Sequence, residues 1–150
     1  IAFDGLGREA RFFNPKGIAV DKAGTLYVAD GDVIRKVTPE GLVTTLAGTP
    51  GRSGAVVNGI GPAAVFYTPS DVAVDFMGNV FVADFNNNAI RMITPAGLVY
   101  AIAGSGSPGA TQAAGNAGLI NRPSGLSVDS SGAIWVAAAG GNAIVSIQPR

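Results

Sequence analysis

The sequence contains no histidine and no cysteine, which closes most routes to covalent chemistry before any fold is considered. There is no imidazole base, no thiolate nucleophile, no nitrogen or sulfur ligand of the kind Zn²⁺ takes, and no Ser–His–Asp arrangement within the chain. Oxygen donors remain. Asp84-Phe85-Asn86-Asn87-Asn88 gathers several of them in five residues, a set that could suit Ca²⁺. Asn and Asp also bond local backbone and tolerate left-handed φ, so the same run reads as a side-chain-capped loop. The loop is the better reading, and neither a metal site nor a cofactor is expected. Asp30 and Asp84 each precede an arginine, Arg35 and Arg91; these read as pairs that order loops, not as catalytic pairs.

Two stretches, Gly5-Leu6-Gly7-Arg8-Glu9-Ala10 and Gly59-Ile60-Gly61-Pro62-Ala63-Ala64, match the glycine fingerprint of dinucleotide-binding turns. That fingerprint works only between a strand and a full helix. Here Pro15 or Pro69 follows too soon for more than about one helical turn, so the stretches read as repeated connectors. Nucleic acid is not an expected partner either. Ten basic and ten acidic side chains cancel, and Lys16, Arg35, Lys36, Arg52, Arg91 and Arg122 are diluted by carboxylates instead of forming a basic face. Seven of the basic and six of the acidic groups fall in residues 4–57, which leaves the rest of the chain nearly uncharged.

The elements that must hold these groups are written as an internal repeat. Pro15, Pro69 and Pro123 stand 54 residues apart, as do Asp21, Asp75 and Asp129, and Gly24, Gly78 and Gly132. Ile18-Ala19-Val20-Asp21 recurs as Val72-Ala73-Val74-Asp75 and Leu126-Ser127-Val128-Asp129, and Leu26-Tyr27-Val28-Ala29 as Val80-Phe81-Val82-Ala83 and Ile134-Trp135-Val136-Ala137. Ile34-Arg35 and Thr38-Pro39-Glu40-Gly41-Leu42-Val43 return as Ile90-Arg91 and Thr94-Pro95-Ala96-Gly97-Leu98-Val99. Such internal periodicity takes precedence over any local reading. Each unit reads as four short strands, joined by Asp-x-x-Gly and Thr-Pro-x-Gly turns that connect antiparallel neighbours. The Asp of each Asp-x-x-Gly is a turn cap, not one of a ring of acids. The strands are apolar on both sides, whereas a sheet with one wet face alternates. Every sheet must therefore be covered twice, which happens when blades stack around an axis. Trp135, at the Tyr27 and Phe81 position, is expected in the core, and the strand from Leu42 to Ala47 is expected at the outer edge.

The order Gly-x-Gly-x-x-Ala-x-Phe-x-x-Pro, Ala-Val-Asp-x-x-Gly, Val-Ala-Asp, Ile-Arg, Thr-Pro-x-Gly-Leu-Val resembles NHL repeats of the bacterial type over essentially the whole chain. The third unit departs from it, with Ala138 for Asp, Val145 for Arg and Gln148 for Thr. The resemblance implies a propeller, commonly six-bladed, used mostly for binding. The expected fold is thus an all-β β-propeller of three four-stranded antiparallel blades, near 4–57, 58–111 and 112–150. The last blade lacks its outer strand, because the sequence ends at Pro149-Arg150 where the next turn belongs. Three blades make half of a six-bladed ring and leave apolar faces and a strand edge open. The expectation is a piece of a longer propeller, or one that self-associates with a second copy to close the ring.

Strand order places the inter-blade loops and the loops between second and third strands at one end of the blades, where a rigid scaffold usually carries function. The candidates there are Lys16, Ser70 and Ser124, which open the innermost strands, with Asp30, Asp32 and Arg122. Asp84, Phe85, Asn86, Asn87, Asn88 and Asn142 complete the set. The loop after Asp30 is two residues shorter than the one after Asp84, which breaks the symmetry of any repeated site. The expected role is a non-catalytic binding or scaffold module for a protein, peptide or glycan. A fragment of a metal-dependent propeller lyase or hydrolase, with its catalytic residues in other blades, is the second reading; a self-assembling structural element is the third. No apolar run approaches the roughly 18 residues of a membrane span. The low-lysine, cysteine-free composition leans towards an extracytoplasmic protein.

Overall fold

The computed structural model describes residues 2–104 and 120–148. Local turn chemistry builds it. Asp21 Oδ1 accepts the backbone N–H groups of Ala23 and Thr25 at 2.9 and 3.0 Å. Asp75 does the same for Met77 and Asn79, and Asp129 for Ser131 and Ala133. Gly24 closes the first of these turns onto Asp21 O at φ +88°, a conformation that glycine adopts without a Cβ penalty. At the next reversal, Thr38 Oγ1 accepts from Leu42 N and Gly41 N donates to Thr38 O; Thr94, Gly97 and Leu98 repeat the pattern.

These turns join consecutive strands into antiparallel sheets. β1 (Gly5–Leu6), β2 (Pro15–Val20), β3 (Leu26–Asp30), β4 (Val33–Val37) and β5 (Leu42–Ala47) form the first, in the order β1-β5-β4-β3-β2. β6 (Gly59–Ile60), β7 (Pro69–Val74), β8 (Val80–Asp84), β9 (Ala89–Ile93) and β10 (Leu98–Gly104) form the second, in the order β6-β10-β9-β8-β7. The third runs β11 (Pro123–Val128), β12 (Ile134–Ala138) and β13 (Ala143–Ile147). The innermost strands β2, β7 and β11 lie side by side, so the three sheets are propeller blades stacked about one axis. Pro149 and Arg150, where the next turn is expected, lie outside the described residues.

Two features differ from expectation. The fourth strand is not the outer edge: Gly5 and Leu6 pair with Val43 and Leu42, and Gly59 and Ile60 with Val99 and Leu98. A two-residue strand covers part of an edge that would otherwise offer free N–H and C=O groups. The connectors also do not stay at one end of the blade. After the short strand each makes a one-turn 3-10 helix, Gly7–Glu9 or Gly61–Ala63. There Gly7 N donates to Gly41 O and Gly61 N to Gly97 O, docking the connector on the Thr-Pro-x-Gly turn at the opposite end. In these two described connectors a short strand leads into a single 3-10 turn and not into an α-helix, which is no nucleotide cradle.

The core lies between blades. Tyr27, Ala29 and Ala47 of the first blade meet Val72, Val80, Val82 and Val99 of the second, with Phe66 between them. Phe81, Ala83 and Ile90 on the second blade's other face meet Ile134, Val136 and Val145 of the third. Equivalent positions show what stacking does. Phe81 is 1% exposed, whereas Trp135, at the same place in the third blade, is 46% exposed. Ile90 is 0% exposed and its counterpart Ile144 is 69% exposed. On the first blade's free side Ile18 is 62% exposed, against 3% for Val72. Trp135 is therefore not a core aromatic among the described residues, because no sheet lies against its side of β12. Its indole N–H instead donates to Asp129 Oδ2 at 2.9 Å.

The Ser131 hydroxyl, joined by that indole N–H, holds the Asp129 carboxyl down to about 2. A carboxylate depressed in the folded state adds stability above its unfolded value, near 3.9, and that stability is lost as pH falls towards 2. Asp129→Asn should remove this part of the acid limb of a pH–stability curve, read by denaturant unfolding between about pH 5 and pH 2. Truncating a buried aromatic costs about 3–5 kcal/mol. Phe81→Ala should lower unfolding stability by that amount, and Trp135→Ala by less than half as much.

Candidate functional site

The most elaborate polar arrangement is internal. Arg91 is fully buried; its Nη1 donates to Asp84 Oδ2 at 2.9 Å and Val65 O at 2.7 Å, and its Nη2 to Val57 O at 2.8 Å and Asn58 Oδ1 at 3.3 Å. The Phe66 ring lies over the guanidinium, 4.8 Å from it. The first blade repeats the arrangement with Arg35, Asp30, Asp4, the carbonyls of Arg11 and Phe3, and Phe12 at 5.0 Å. Each arginine thus ties the connector entering its blade to the end of that blade's second strand. Asp84 also accepts from Tyr67 N and Asn87 Nδ2, both at 2.8 Å. Burial pushes the Asp84 carboxyl above its ordinary range, against the pull of Asn87, Tyr67 and Arg91; it pulls the Arg91 guanidinium down.

Asp30 and Asp84 consequently face inward, with side chains wholly inaccessible in both ion pairs. The pairing expected from sequence is present, but their burial withdraws both from the solvent-facing set in which they were also placed. The third blade fills the same volume without charge. Ile120, Ala138 and Val145 stand where Phe66, Asp84 and Arg91 stand, and all three are buried.

Several of the remaining candidates converge. Phe85–Asn87 forms a 3-10 turn closed by Asn88 in the left-handed region, at φ +51°. Asn86 Nδ2 donates to Thr68 Oγ1 at 2.9 Å, Asn87 Nδ2 to Gly54 O at 3.0 Å, and Arg122 N to Asn88 Oδ1 at 2.9 Å. Ser70 Oγ reaches across to Pro123 O at 2.8 Å. Ala139 N donates to Arg122 O, and Ala139–Gly141 with Asn142 at φ +51° repeats the 3-10 turn in the third blade. Asn86, Arg122, Ser124 and Asn142 are exposed, while Phe85, Asn87, Asn88 and Ser70 are half-buried. Lys16 is exposed and Asp32 half-buried at the end of the first blade. Gly31 and Asp32 form a two-residue hairpin turn there, with Gly31 at φ +61°, the type II′ pattern. Among the described residues no three acidic groups converge as metal ligands would.

Asp71 escaped the sequence reading. Its Oδ2 accepts Leu126 N at 2.9 Å from the neighbouring blade, and its Oδ1 accepts Val72 N. The repeat register holds the signal: Gly17 and Gly125 occupy the equivalent positions. A Cβ on Gly17 would fall 2.6 Å from Asp71 Cα, so a side chain at one position excludes one at the next.

A family model for the teneurin NHL domain matches residues 4–56, and the NHL repeat model matches residues 66–91. This chain is built of NHL repeats. Teneurin-3 of Danio rerio is 39% identical over 107 residues, which is 67% of this chain and 4% of the teneurin. An auxiliary nutrient binding protein from Bacteroides thetaiotaomicron shares the fold at TM-score 0.69 and 20% identity, over 87% of this chain and 36% of that one. Virginiamycin B lyase from Staphylococcus aureus does so at TM-score 0.62 and 18% identity, over 98% and 42%. The NHL chain thus spans a small part of the curated relatives and under half of these two propellers. The sequence likeness runs to an animal protein, so the bacterial variety of the NHL repeat finds no support from it.

The NHL ion pair yields a stability test. Breaking a buried pair by removing one partner costs about 3–5 kcal/mol, whereas exchanging the whole set for apolar groups is often near neutral. Arg91→Ala should show that loss in denaturant unfolding. The combined exchange Phe66→Ile, Asp84→Ala, Arg91→Val, which installs the third blade's set, should recover more than half of it.

Proposed function

We propose that this NHL-repeat chain is a non-catalytic binding module that presents the loop-bearing end of its blades to a protein, peptide or glycan. One observation carries the reading. The two fully buried charge pairs are committed to holding connectors, while the exposed candidates at that end are the neutral Asn86, Ser124 and Asn142 with the two cations Lys16 and Arg122. Such a surface suits hydrogen-bonded recognition on a rigid base. The likeness to virginiamycin B lyase is one of fold, and the sequence has no histidine to serve as a base.

The ring is completed, in this reading, by further blades or by a second copy lying against Ile18 on one side and Trp135 and Ile144 on the other. Sedimentation of the 150-residue chain should give a dimer mass. A monodisperse monomer would remove the second copy and leave further blades as the completing element.

Peptide and glycan arrays probed with the labelled chain test the binding face. Retained signal that drops several-fold in the double variant Asn86→Ala, Arg122→Ala supports it. Signal unaffected by that variant, or strong retention of random RNA at low salt, overturns it.

A further inference from the structure

Asn58-Gly59 is the only Asn-Gly step in the sequence. It stands at the start of the two-residue strand β6, with Gly59 opposite Val99. Packing imposes the glycine. A Cβ there would fall 2.9 Å from Ala63 Cβ, where the connector folds back in its 3-10 turn, and one on Gly5 would fall 3.0 Å from Glu9. The residue before it differs between blades: Asp4 in the first, Asn58 in the second. An asparagine followed by glycine is open to attack on its own side chain. A residue without Cβ neither shields its nitrogen nor resists the backbone rotation that the attack needs.

Asn58 is exposed, so water reaches it. Its Oδ1 nevertheless accepts from Nη2 of the fully buried Arg91 at 3.3 Å. Attack by Gly59 N on Asn58 Cγ gathers negative charge on that oxygen, and a fixed donor aimed at developing charge lowers the barrier. The new N–Cγ bond forms, the Cγ–Nδ2 bond breaks, and Nδ2 leaves as ammonia with the proton of Gly59 N. A pairing only two residues long opens locally, which frees Gly59 N for this ring closure. The five-membered imide then adds water at one of its two carbonyls. Addition at Cγ restores the ordinary chain with aspartate; addition at the main-chain carbonyl leaves isoaspartate, with an extra methylene in the backbone. The Arg91 contact polarises the Cγ carbonyl and so favours aspartate.

We propose that Asn58 is a self-modifying site, which deamidates with the help of Arg91 and gives mainly aspartate. The product reproduces the first blade's arrangement, in which Asp4 Oδ1 lies 3.1 Å from Arg35 Nη2. The second blade thereby gains the carboxylate that the first already carries, and the outer edge gains a negative charge. The modification goes beyond the binding reading and does not depend on it.

Ageing the folded chain in mildly alkaline buffer, followed by peptide mapping and isoaspartyl methyltransferase labelling, tests it. Asn58 is expected to lose its amide several-fold faster than any other asparagine, with aspartate exceeding isoaspartate. The same chain aged in guanidinium chloride, where the Arg91 contact is gone, should give mainly isoaspartate. The combined exchange Phe66→Ile, Asp84→Ala, Arg91→Val removes the guanidinium and should shift the product of the folded chain towards isoaspartate. Asn58→Asp should raise the denaturant midpoint at neutral pH. That gain should disappear as pH falls through the carboxylate range, because a carboxylate held down by Arg91 stabilises only while ionised. An Asn58 amide that outlasts the other asparagines, or equal product ratios in folded and unfolded chains, would overturn the site. An unchanged ratio in the folded triple variant would remove Arg91 from it, and a lowered midpoint in Asn58→Asp would overturn the pairing of the product.

Discussion

A small sheet with apolar side chains on both faces has no stable existence alone in water, and that constraint organises everything else in this molecule. The second blade presents Val72, Val80 and Val82 to one neighbour and Phe81, Ala83 and Ile90 to the other. Burying such side chains stabilises by about 25 cal/mol per Å² of apolar surface removed from water, and only a like sheet on each side removes it. Stacking then fixes the axis, because β2, β7 and β11 approach closely where side chains are smallest. Asp71 and Gly17 record how tight that approach is, with a carboxylate bridging one blade gap and a missing Cβ relieving the other. With the axis fixed, the two ends of each blade acquire separate work: short capped turns at one, longer loops at the other.

The buried arginines solve a problem that stacking creates. A connector that runs from the outer edge of a blade to its innermost strand crosses the blade with backbone carbonyls exposed to a nonpolar gap. Unpaired carbonyls there would be costly. Arg91 answers Val57 O and Val65 O together, and its charge is balanced by Asp84. The solution is imperfect, since Arg35 Nε and Arg91 Nε have no partner though buried. The third blade takes the apolar alternative with Ile120, Ala138 and Val145. One fold position therefore carries two chemically opposite fillings in one chain, which argues that shape more than charge is what the position requires.

Much of this was legible because the determinants are local. Asp21, Asp75 and Asp129 cap their turns through residues two and four places on, so the spacing itself states the structure. The two-faced apolar strands likewise state that blades must stack. What could not be read depends on partners distant in sequence. Gly5–Leu6 and Gly59–Ile60 are too short to carry a strand pattern, and only pairing with β5 and β10 makes them strands. Trp135 has the same local setting as Phe81, and its exposure reflects what lies beyond its own sheet. Asp30 and Asp84 were read correctly as partners of arginine but also placed towards solvent, because sequence gives a side chain's company more readily than its direction.

Repetition also determines where individuality can arise. A site built into the common repeat would occur in every blade, and here the common positions are occupied by turn caps, core residues and connector clamps. Distinct chemistry is left to positions where copies disagree. Three such differences stand out: the Gly31-Asp32 turn shortened by two residues, the lone carboxylate Asp71 between two glycines, and the uncharged third-blade set. The second and third are absorbed by blade packing. The first reshapes the loop-bearing end itself: Gly31-Asp32 is a two-residue hairpin turn where the second blade has a 3-10 turn closed by Asn88. Asp30 keeps its arginine in that shorter turn, while Asp84 accepts in addition from the Asn87 amide that the first blade lacks. Rigid blades let two loops differ by two residues while the strands on either side hold the same register, because the sheet's own pairing does not depend on the loop.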